Sequence, residues 1–377
     1  MRSQGIKGPS YKFLHGNTKE IYAMRAQSMG RPMDHLSHEI LPRILPHIHS
    51  WVNIYGRNFL NWYGAEAQLV ETGFRNEGDK WTKLRKLANG VFHGESLKSM
   101  IPAMISSTEQ CSKGGKQDDD KESEKLEQGI RNCIVEIIKK RDQETSNNDS
   151  KKDFLGELLE ASRDNNEENR ISLNDMVDEC KTFYFAGHET TTSLLGWTVL
   201  LLAVHSDWQE KARAEVFELC GETNPTPDSI TRLKTMNMIV EESLRLYSPV
   251  PAMKRKVKKE VRLGEMTLPS NMELYISPLV VHHDPRIWGA DVHRFKPERF
   301  EEGIAKATNN TLAAFLPFGF GPRTCVGLNF AIVEAKIALA MILQRFKFEL
   351  SPNYVHSPIQ LFMVRPQHGV QIILESL

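Results

Sequence analysis

The stretch Pro317-Phe318-Gly319-Phe320-Gly321-Pro322-Arg323-Thr324-Cys325-Val326-Gly327 decides how this chain is read. It sets one cysteine in a glycine-framed loop, two residues after an arginine. The residues that follow, Leu328 to Arg345, carry apolar Phe330, Ile332, Val333, Ile337, Leu339 and Ile342, with Ala331, Ala335 and Ala338 for close packing. That spacing predicts a helix. Cys325 then lies just before a helix N-terminus, where the dipole and free N–H groups lower a thiol pKa and stabilise anionic sulfur. Gly321 and Gly327 permit positive φ and leave space for a flat ligand, and Arg323 offers a forked cation to a carboxylate of that ligand. Such a loop can hold a thiolate against a metal. Gly319-Phe320-Gly321 also begins a near miss to a dinucleotide glycine loop, but no suitable strand leads into it and Thr324 takes the last glycine position.

Composition narrows the class. The chain has 377 residues, with Lys+Arg and Asp+Glu at 48 each, so no global field favours nucleic acid. Cys111, Cys133, Cys180, Cys220 and Cys325 are odd in number and irregular in spacing, which predicts reduced thiols. No apolar run approaches the eighteen or so residues needed to cross a bilayer, and no signal peptide is expected. His35, His38, His47 and His49 crowd one segment, but Pro42 and Pro46 interrupt any helix that could align them on a metal.

The pattern Phe318-x-x-Gly321-x-Arg323-x-Cys325-x-Gly327 resembles the heme-binding loop of cytochrome P450 monooxygenases. The resemblance implies that Cys325 is the axial iron ligand and that Arg323 meets a heme propionate. Other segments extend it. Ile171 to His205 predicts the longest helix, opened by a capping box of Ser172 and Asp175 and running roughly 50 Å. Within it, Ala186-Gly187-His188-Glu189-Thr190-Thr191 is expected to loosen the helix, because Gly187 costs about 1 kcal/mol and the threonines can bond back to carbonyls. The hexad resembles the family's oxygen-binding groove, with Glu189 the acid and Thr190 the hydroxyl that relays protons, and Ala186 beside the substrate.

Lys80 to Phe92 reads as a helix with Trp81 and Arg85 on one face; on the resemblance both meet a propionate. Glu242 and Arg245, in the helix Leu233 to Leu246, resemble two members of a buried network whose third is Arg299 of Pro297-Glu298-Arg299-Phe300. Losing one partner of such a network costs about 3 to 5 kcal/mol. Arg255 to Leu263 and Met266 to Leu279 alternate as short strands, and Ile359 to Leu374 reads as a hairpin turning at Pro366-Gln367-His368-Gly369. The resemblance makes Arg255 another propionate partner and places Met253 and Phe362 against substrate. Ser123 to Arg141 predicts a helix with Leu126, Ile130, Ile134, Ile137 and Ile138 on one face.

What the resemblance implies is a mainly α protein with small β-sheets, the cytochrome P450 fold, incomplete in the N-terminal half. Residues 1–377 form one domain, well matched over 171–377 and partial over 1–170. The sequence is most similar to plant microsomal members, the group with secologanin synthase and hormone hydroxylases, and so to plant secondary or hormone metabolism. Two stretches of the family are expected to be missing, one near 68–78 and one between Ser107 and Ser123, where a Lys/Gly/Asp-rich insert replaces helices that roof the substrate cavity. Gln4 to Leu14 resembles the segment after a membrane anchor, and the anchor itself is expected to be missing. The implied cofactor is heme b (iron protoporphyrin IX). The implied partners are NADPH-cytochrome P450 reductase, O2 and a lipophilic small molecule, on the cytosolic face of the endoplasmic reticulum membrane. Lys80, Lys83, Lys86 and Lys336 are the expected reductase docking patch. The alternatives are a truncated, catalytically inactive product and a heme-binding sensor or carrier.

Overall fold

The structure, a computed structural model, describes residues 7–10, 12, 15–56, 59–61, 79–92, 123–145, 153–166 and 170–377. For 79–81, 83, 90, 123–126, 144 and 145 it describes the backbone alone. In chain order the helices are α1 (Thr18–Met29), α2 (Leu41–Ile44), α3 (Pro46–Tyr55), α4 (Asp79–Val91), α5 (Ser123–Thr145), α6 (Phe154–Ser162), α7 (Leu173–Val204), α8 (Ser206–Cys220), α9 (Pro227–Arg232) and α10 (Lys234–Leu246). Strands β1 (Met253–Lys256), β2 (Val261–Leu263), β3 (Met266–Leu268) and β4 (Glu273–Ile276) follow. Then come α11 (Pro278–His282), α12 (Pro285–Trp288), α13 (Gly303–Ala307) and α14 (Leu328–Leu343), before β5 (Phe346–Leu350), β6 (Pro358–Gln360), β7 (Val364–Pro366) and β8 (Ile372–Ser376).

Helix α7 organises the rest. Its start is fixed as the sequence predicts: the Ser172 hydroxyl accepts from the Asp175 N–H, and the Asp175 carboxylate accepts from the Ser172 N–H. Such a cap stabilises by about 1 kcal/mol. At 32 residues and 1.5 Å per residue the helix spans roughly 48 Å. Its C-terminal half buries Leu194, Trp197, Leu200, Leu201 and Leu202 against Met236, Ile239 and Val240 of α10 and Ala335, Ile337 and Leu339 of α14. Each fully buried side chain of this kind contributes about 1.5–3 kcal/mol. Trp197 stacks on Tyr247 at 4.2 Å. A smaller core joins α4 to α6 and the start of α7 through Leu84, Ile138, Leu158, Leu159, Met176 and Val177. On α5 the expected apolar face is only partly covered, since Ile138 is buried while Ile130 and Ile137 are exposed.

Among the described residues the strands form four separate antiparallel pairs: β1 with β4, β2 with β3, β5 with β8 and β6 with β7. Each predicted strand from 255 to 279 is therefore two shorter ones. The chain leaves the first pair at Val257 and re-enters at Met272, through Asn271 at φ +65°. The C-terminal hairpin also differs from expectation. It turns at Leu361–Met363, and Pro366 to Gly369 instead leads β8 away to pair with β5. The cause is a pair of donors on α7: Ser193 Oγ and Trp197 Nε1 both donate to the Val364 carbonyl, at 2.6 and 2.9 Å, and hold β7 against the helix.

Candidate functional site

The cysteine loop is shaped by its own backbone. Cys325 N–H donates to the Phe318 carbonyl at 2.8 Å, and both the N–H and hydroxyl of Thr324 donate to Gly321. Gly319 and Gly321 have φ of +75° and +80°, which only glycine adopts freely. Phe318 packs on the main core, whereas Phe320 is exposed. Cys325, Thr324, Leu328 and Asn329 wall a cavity of about 470 Å³ together with Arg85 and Asn89 of α4. The Arg85 guanidinium crosses it to donate to the Thr324 carbonyl at 2.7 Å. Arg323 lies exposed on the loop.

Cys325 is exposed, and its thiol opens on this cavity. Desolvation by the loop around it still pushes its pKa up, against the pull of the Gly327 N–H and the Arg85 charge. The helix position alone therefore does not produce the lowering expected from sequence; the two stabilising groups are present, and desolvation outweighs them.

On α7 the backbone stays helical through 186–191, so the expected loosening does not occur. Thr190 Oγ1 donates back to the Ala186 carbonyl at 2.6 Å, the local alternative open to a threonine in a helix. Gly187 has open space where a Cβ would stand. Glu189, next along the helix, faces a different way and lines a second cavity of about 490 Å³. Its other walls include Thr192, Gly196 and Val199 of α7 and Met363, Arg365 and Pro366 of the C-terminal hairpin. His188 Nδ1 stands 3.7 Å from the Glu189 carboxylate.

An aromatic seam that sequence reasoning missed joins these elements. Phe92, just after α4, stacks on Phe183 of α7 at 5.4 Å and meets Phe330 of α14 edge-on at 5.4 Å, with Phe154 at 4.3 Å from Phe183. Phe183 is three residues before Ala186 and Phe330 five after Cys325, so the seam ties α7 just before the hexad to α14 just after the loop. Glu334 of α14 adds to it: burial raises its pKa, against the Thr191 hydroxyl and His188. The only sequence signal for either was aromatic and acidic residues at helical spacing, which reads as ordinary packing.

Behind the loop lies the charged network. Glu242 and Arg245 are fully buried, and the guanidinium grips both carboxylate oxygens at 2.7 and 2.8 Å. Arg245 also donates to the His282 carbonyl, and the Lys296 N–H donates to Glu242. Arg299 is held more by Asp291, at 2.7 Å, with its Nε 3.6 Å from Glu242. Asp291 was not anticipated; Arg299 and Lys296 hold its pKa down at about 2.

Met253 lies against the loop, its sulfur 3.5 Å from where a Gly319 Cβ would stand, and Arg255 donates to the Lys254 carbonyl beside it. Phe362 is exposed at the hairpin tip and meets Phe185 of α7 edge-on at 5.8 Å. The side chains of Trp81, Lys80 and Lys83 lie outside the described residues, as do both expected gaps and Cys111. Lys336 does not belong to a surface patch. It is buried between Glu215 and Glu241, with Nζ 3.5 Å from the Ile230 carbonyl, and only Lys86 of the four lysines is seen exposed. Among the described residues no group of three or more His, Cys, Asp or Glu is placed to hold a metal ion by itself. No helix among them is long and apolar enough to cross a membrane. Cys133, Cys180, Cys220 and Cys325 are all free.

The residues around Cys325 fit a heme. A sulfur donor opens on a cavity, Gly321 and Gly327 leave vacant the space that a Cβ would fill, and Arg85 in the cavity wall offers a cation to a carboxylate. Residues 116–374 match the family model for Cytochrome P450. Cytochrome P450 CYP749A22 of Panax ginseng is 46% identical, over 100% of this chain and 91% of that protein. Cytochrome P450 734A1 and Cytochrome P450 72A11, both of Arabidopsis thaliana, are 34% identical, over 99% and 100% of this chain and 91% and 93% of theirs. The ginseng alignment runs 475 positions against 377 residues here, so at least 98 positions of that relative have no counterpart. A solved structure, Cytochrome P450 (CYP102L1), shares the fold at TM-score 0.70 and 21% identity, covering 80% of this chain and 83% of that one. With its thiol loop, its long central helix and these relatives in agreement, the chain belongs to the cytochrome P450 family of heme-dependent monooxygenases, shortened internally relative to its plant kin.

Proposed function

We propose that this chain inserts one oxygen atom from O2 into a lipophilic small molecule of terpenoid, steroid or hormone-like character, using heme b and electrons from NADPH-cytochrome P450 reductase. The observation that supports the reading most is the aromatic seam that ties α7, just before the Ala186–Thr191 hexad, to α14, just after the Cys325 loop. When bound, the heme supplies one-electron and O2 chemistry, and a cysteine ligand donates density that favours O–O cleavage. Cys325 would hold the iron, its thiolate supported by the Gly327 N–H. Phe318, Gly321 and Gly327 would cradle the ring, with Trp81, Arg85, Arg255 and Arg323 meeting its carboxylates.

Thr190 and Glu189 are the proton carriers in this reading. The Thr190 hydroxyl is oriented by its bond to Ala186, which leaves its lone pairs to accept a proton. Glu189 faces the second cavity, where it would take protons from solvent and pass them around the helix. Ala186, Met253 and Phe362 would contact substrate, and Glu242, Arg245 and Arg299 would brace the loop from behind. Residues 1–377 form one domain on this reading, its heme-binding core in 171–377, placed on the cytosolic face of the endoplasmic reticulum.

The 98 or more unmatched positions favour a second reading, a heme protein without turnover. Such enzymes need a dry site to couple electrons to product rather than to peroxide. Reconstitution with reductase, NADPH and a panel of terpenoid and steroid substrates tests the choice. Product formation, with Thr190→Ala keeping heme but diverting electrons to hydrogen peroxide, is the expected result. Heme uptake with no NADPH consumption would favour the second reading, and unchanged coupling in Thr190→Ala would remove that residue from the mechanism.

A further inference from the structure

Among the described residues the two edges of the β5–β8 sheet are treated differently. The outer edge of β5 is closed by side chains of α8. Gln209 donates to the Phe348 carbonyl at 2.8 Å and accepts from the Phe348 N–H at 3.1 Å, while Arg213 donates to the Phe346 carbonyl at 2.9 Å. The outer edge of β8 has no such cover. The Gln371 carbonyl accepts from Ser351 and the Leu377 N–H donates to Arg345, so the alternation of an antiparallel ladder turns the backbone groups of Gln371, Ile373, Glu375 and Leu377 to β5. The N–H and C=O of Ile372, Leu374 and Ser376 point the other way, and none has a protein partner among the described residues.

This edge carries none of the devices that keep strands of different molecules apart. Residues 370–376, Val-Gln-Ile-Ile-Leu-Glu-Ser, contain no proline, glycine or lysine. Ile373 is 56% and Leu374 53% exposed. Cross-strand neighbours share a face, so Ile372 and Leu374 lie with Leu350 and buried Phe348. Gln371, Ile373 and Glu375 lie on the opposite face, with Lys347 across from Glu375.

We propose that two copies of this chain join edge to edge through β8, antiparallel, in a four-stranded sheet whose two-fold axis passes at Ile373. A second copy is selected because the strand is complementary to itself in one register. Outward-facing residues must meet outward-facing residues, so the axis passes at a residue and not between two. At 374 it would set Ile373 against the partner's Glu375; at 372 it would set Ile373 against the partner's Gln371. At 373 it pairs Ile372 with the partner's Leu374 and Ile373 with the partner's Ile373. Gln371 then stands beside the partner's Glu375, so each carboxylate lies between an amide and the Lys347 of its own chain. Ile372 and the partner's Leu374 exchange both backbone hydrogen bonds, and a contact of this symmetry closes at two copies. The contact is independent of the heme assignment.

Sedimentation velocity of the full chain over a range of concentrations tests it. A monomer that gives way to a dimer, and stops there, is the expected result. Leu374→Pro leaves the pairing with β5 in place, because the lost N–H faces outward, and should abolish the dimer. Ile373→Lys sets two cations together on the axis and should weaken it about tenfold, whereas Gln371→Lys puts a cation beside the partner's Glu375 and should tighten it severalfold. Leu263→Ser, at an exposed aliphatic of β2, should change nothing. The register has its own readout. Ile373→Cys brings two thiols onto the axis, where Cα atoms about 4.5 Å apart allow a disulfide, so mild oxidation should give a covalent dimer that Glu375→Cys does not. A chain monomeric at every concentration, growth into fibres, or a dimer that survives Leu374→Pro would overturn the proposal. So would an Ile373→Cys chain that crosslinks no more than the parent does through its own thiols.

Discussion

Lowering the pH from about 7.5 to about 5.5 should draw about 4 kcal/mol of stability from four buried histidines and one buried acid. His38 bonds the Tyr247 hydroxyl at 2.7 Å, with His205, His356, His293 and Arg245 around it, and burial holds its pKa at about 3. His282 accepts from the Leu316 N–H beside Arg245 and is also held at about 3. His47, buried near Arg25, and His356, between Tyr354, Ser37 and Arg43, are held at about 4. The ordinary value is 6.5. Each folded value lies below the unfolded one, so stability is complete above the unfolded pKa and falls as pH drops towards the folded pKa. Near pH 5.5 each histidine forfeits about 1.4 kcal/mol, or between 5 and 6 together.

One buried acid works the other way. Glu241, raised to about 7 by burial, is more easily protonated folded than unfolded. On the same acidification it returns about 2 kcal/mol. Histidines win by number, and the net loss is a large part of the roughly 5 to 15 kcal/mol that holds a typical protein folded. Urea unfolding followed by tryptophan fluorescence at several pH values reads it, Trp197 lying stacked on Tyr247 within the same cluster. His38→Gln should lower stability at neutral pH yet flatten the acid loss by about one proton. A stability unchanged or rising across that window would refute the reasoning.

Further outcomes follow from the loop and its support. Glu242→Ala leaves two arginines without their buried carboxylate and should cost about 3 to 5 kcal/mol; Arg299→Ala should cost less than Arg245→Ala, because Arg299 is anchored chiefly on Asp291, as denaturation midpoints would reveal. Gly321→Ala, at φ +80°, should cost about 1 to 2 kcal/mol of backbone strain, while Gly327→Ala meets open space and negative φ, leaving the fold intact but weakening heme uptake in a hemin titration.

The later half of the chain was legible because its signals are local. A capping box starts α7, alanines and branched residues extend α14, and Glu242 with Arg245 share a helix face, so each can be read within a few residues. What sequence could not give depends on distant partners. The C-terminal hairpin turns early because Ser193 and Trp197, some 170 residues away, claim the Val364 carbonyl. Lys336 looked like surface charge until Glu215 and Glu241 were seen enclosing it. The Cys325 thiol, read as activated by its helix, has its pKa pushed up instead, by desolvation within its loop. Asp291 and the Phe92 seam carry no motif, being ordinary residues whose importance comes from where the fold sets them.

Sulfur ligation at position 325 is the claim on which the functional reading stands. The purified chain should be loaded with hemin, reduced under carbon monoxide and scanned in parallel with Cys325→Ser. The account predicts the strongly red-shifted Soret band of a thiolate-ligated ferrous carbonyl in the parent chain and its loss in the variant. A parent protein that takes up no hemin, or a variant that keeps the shifted band, would contradict it.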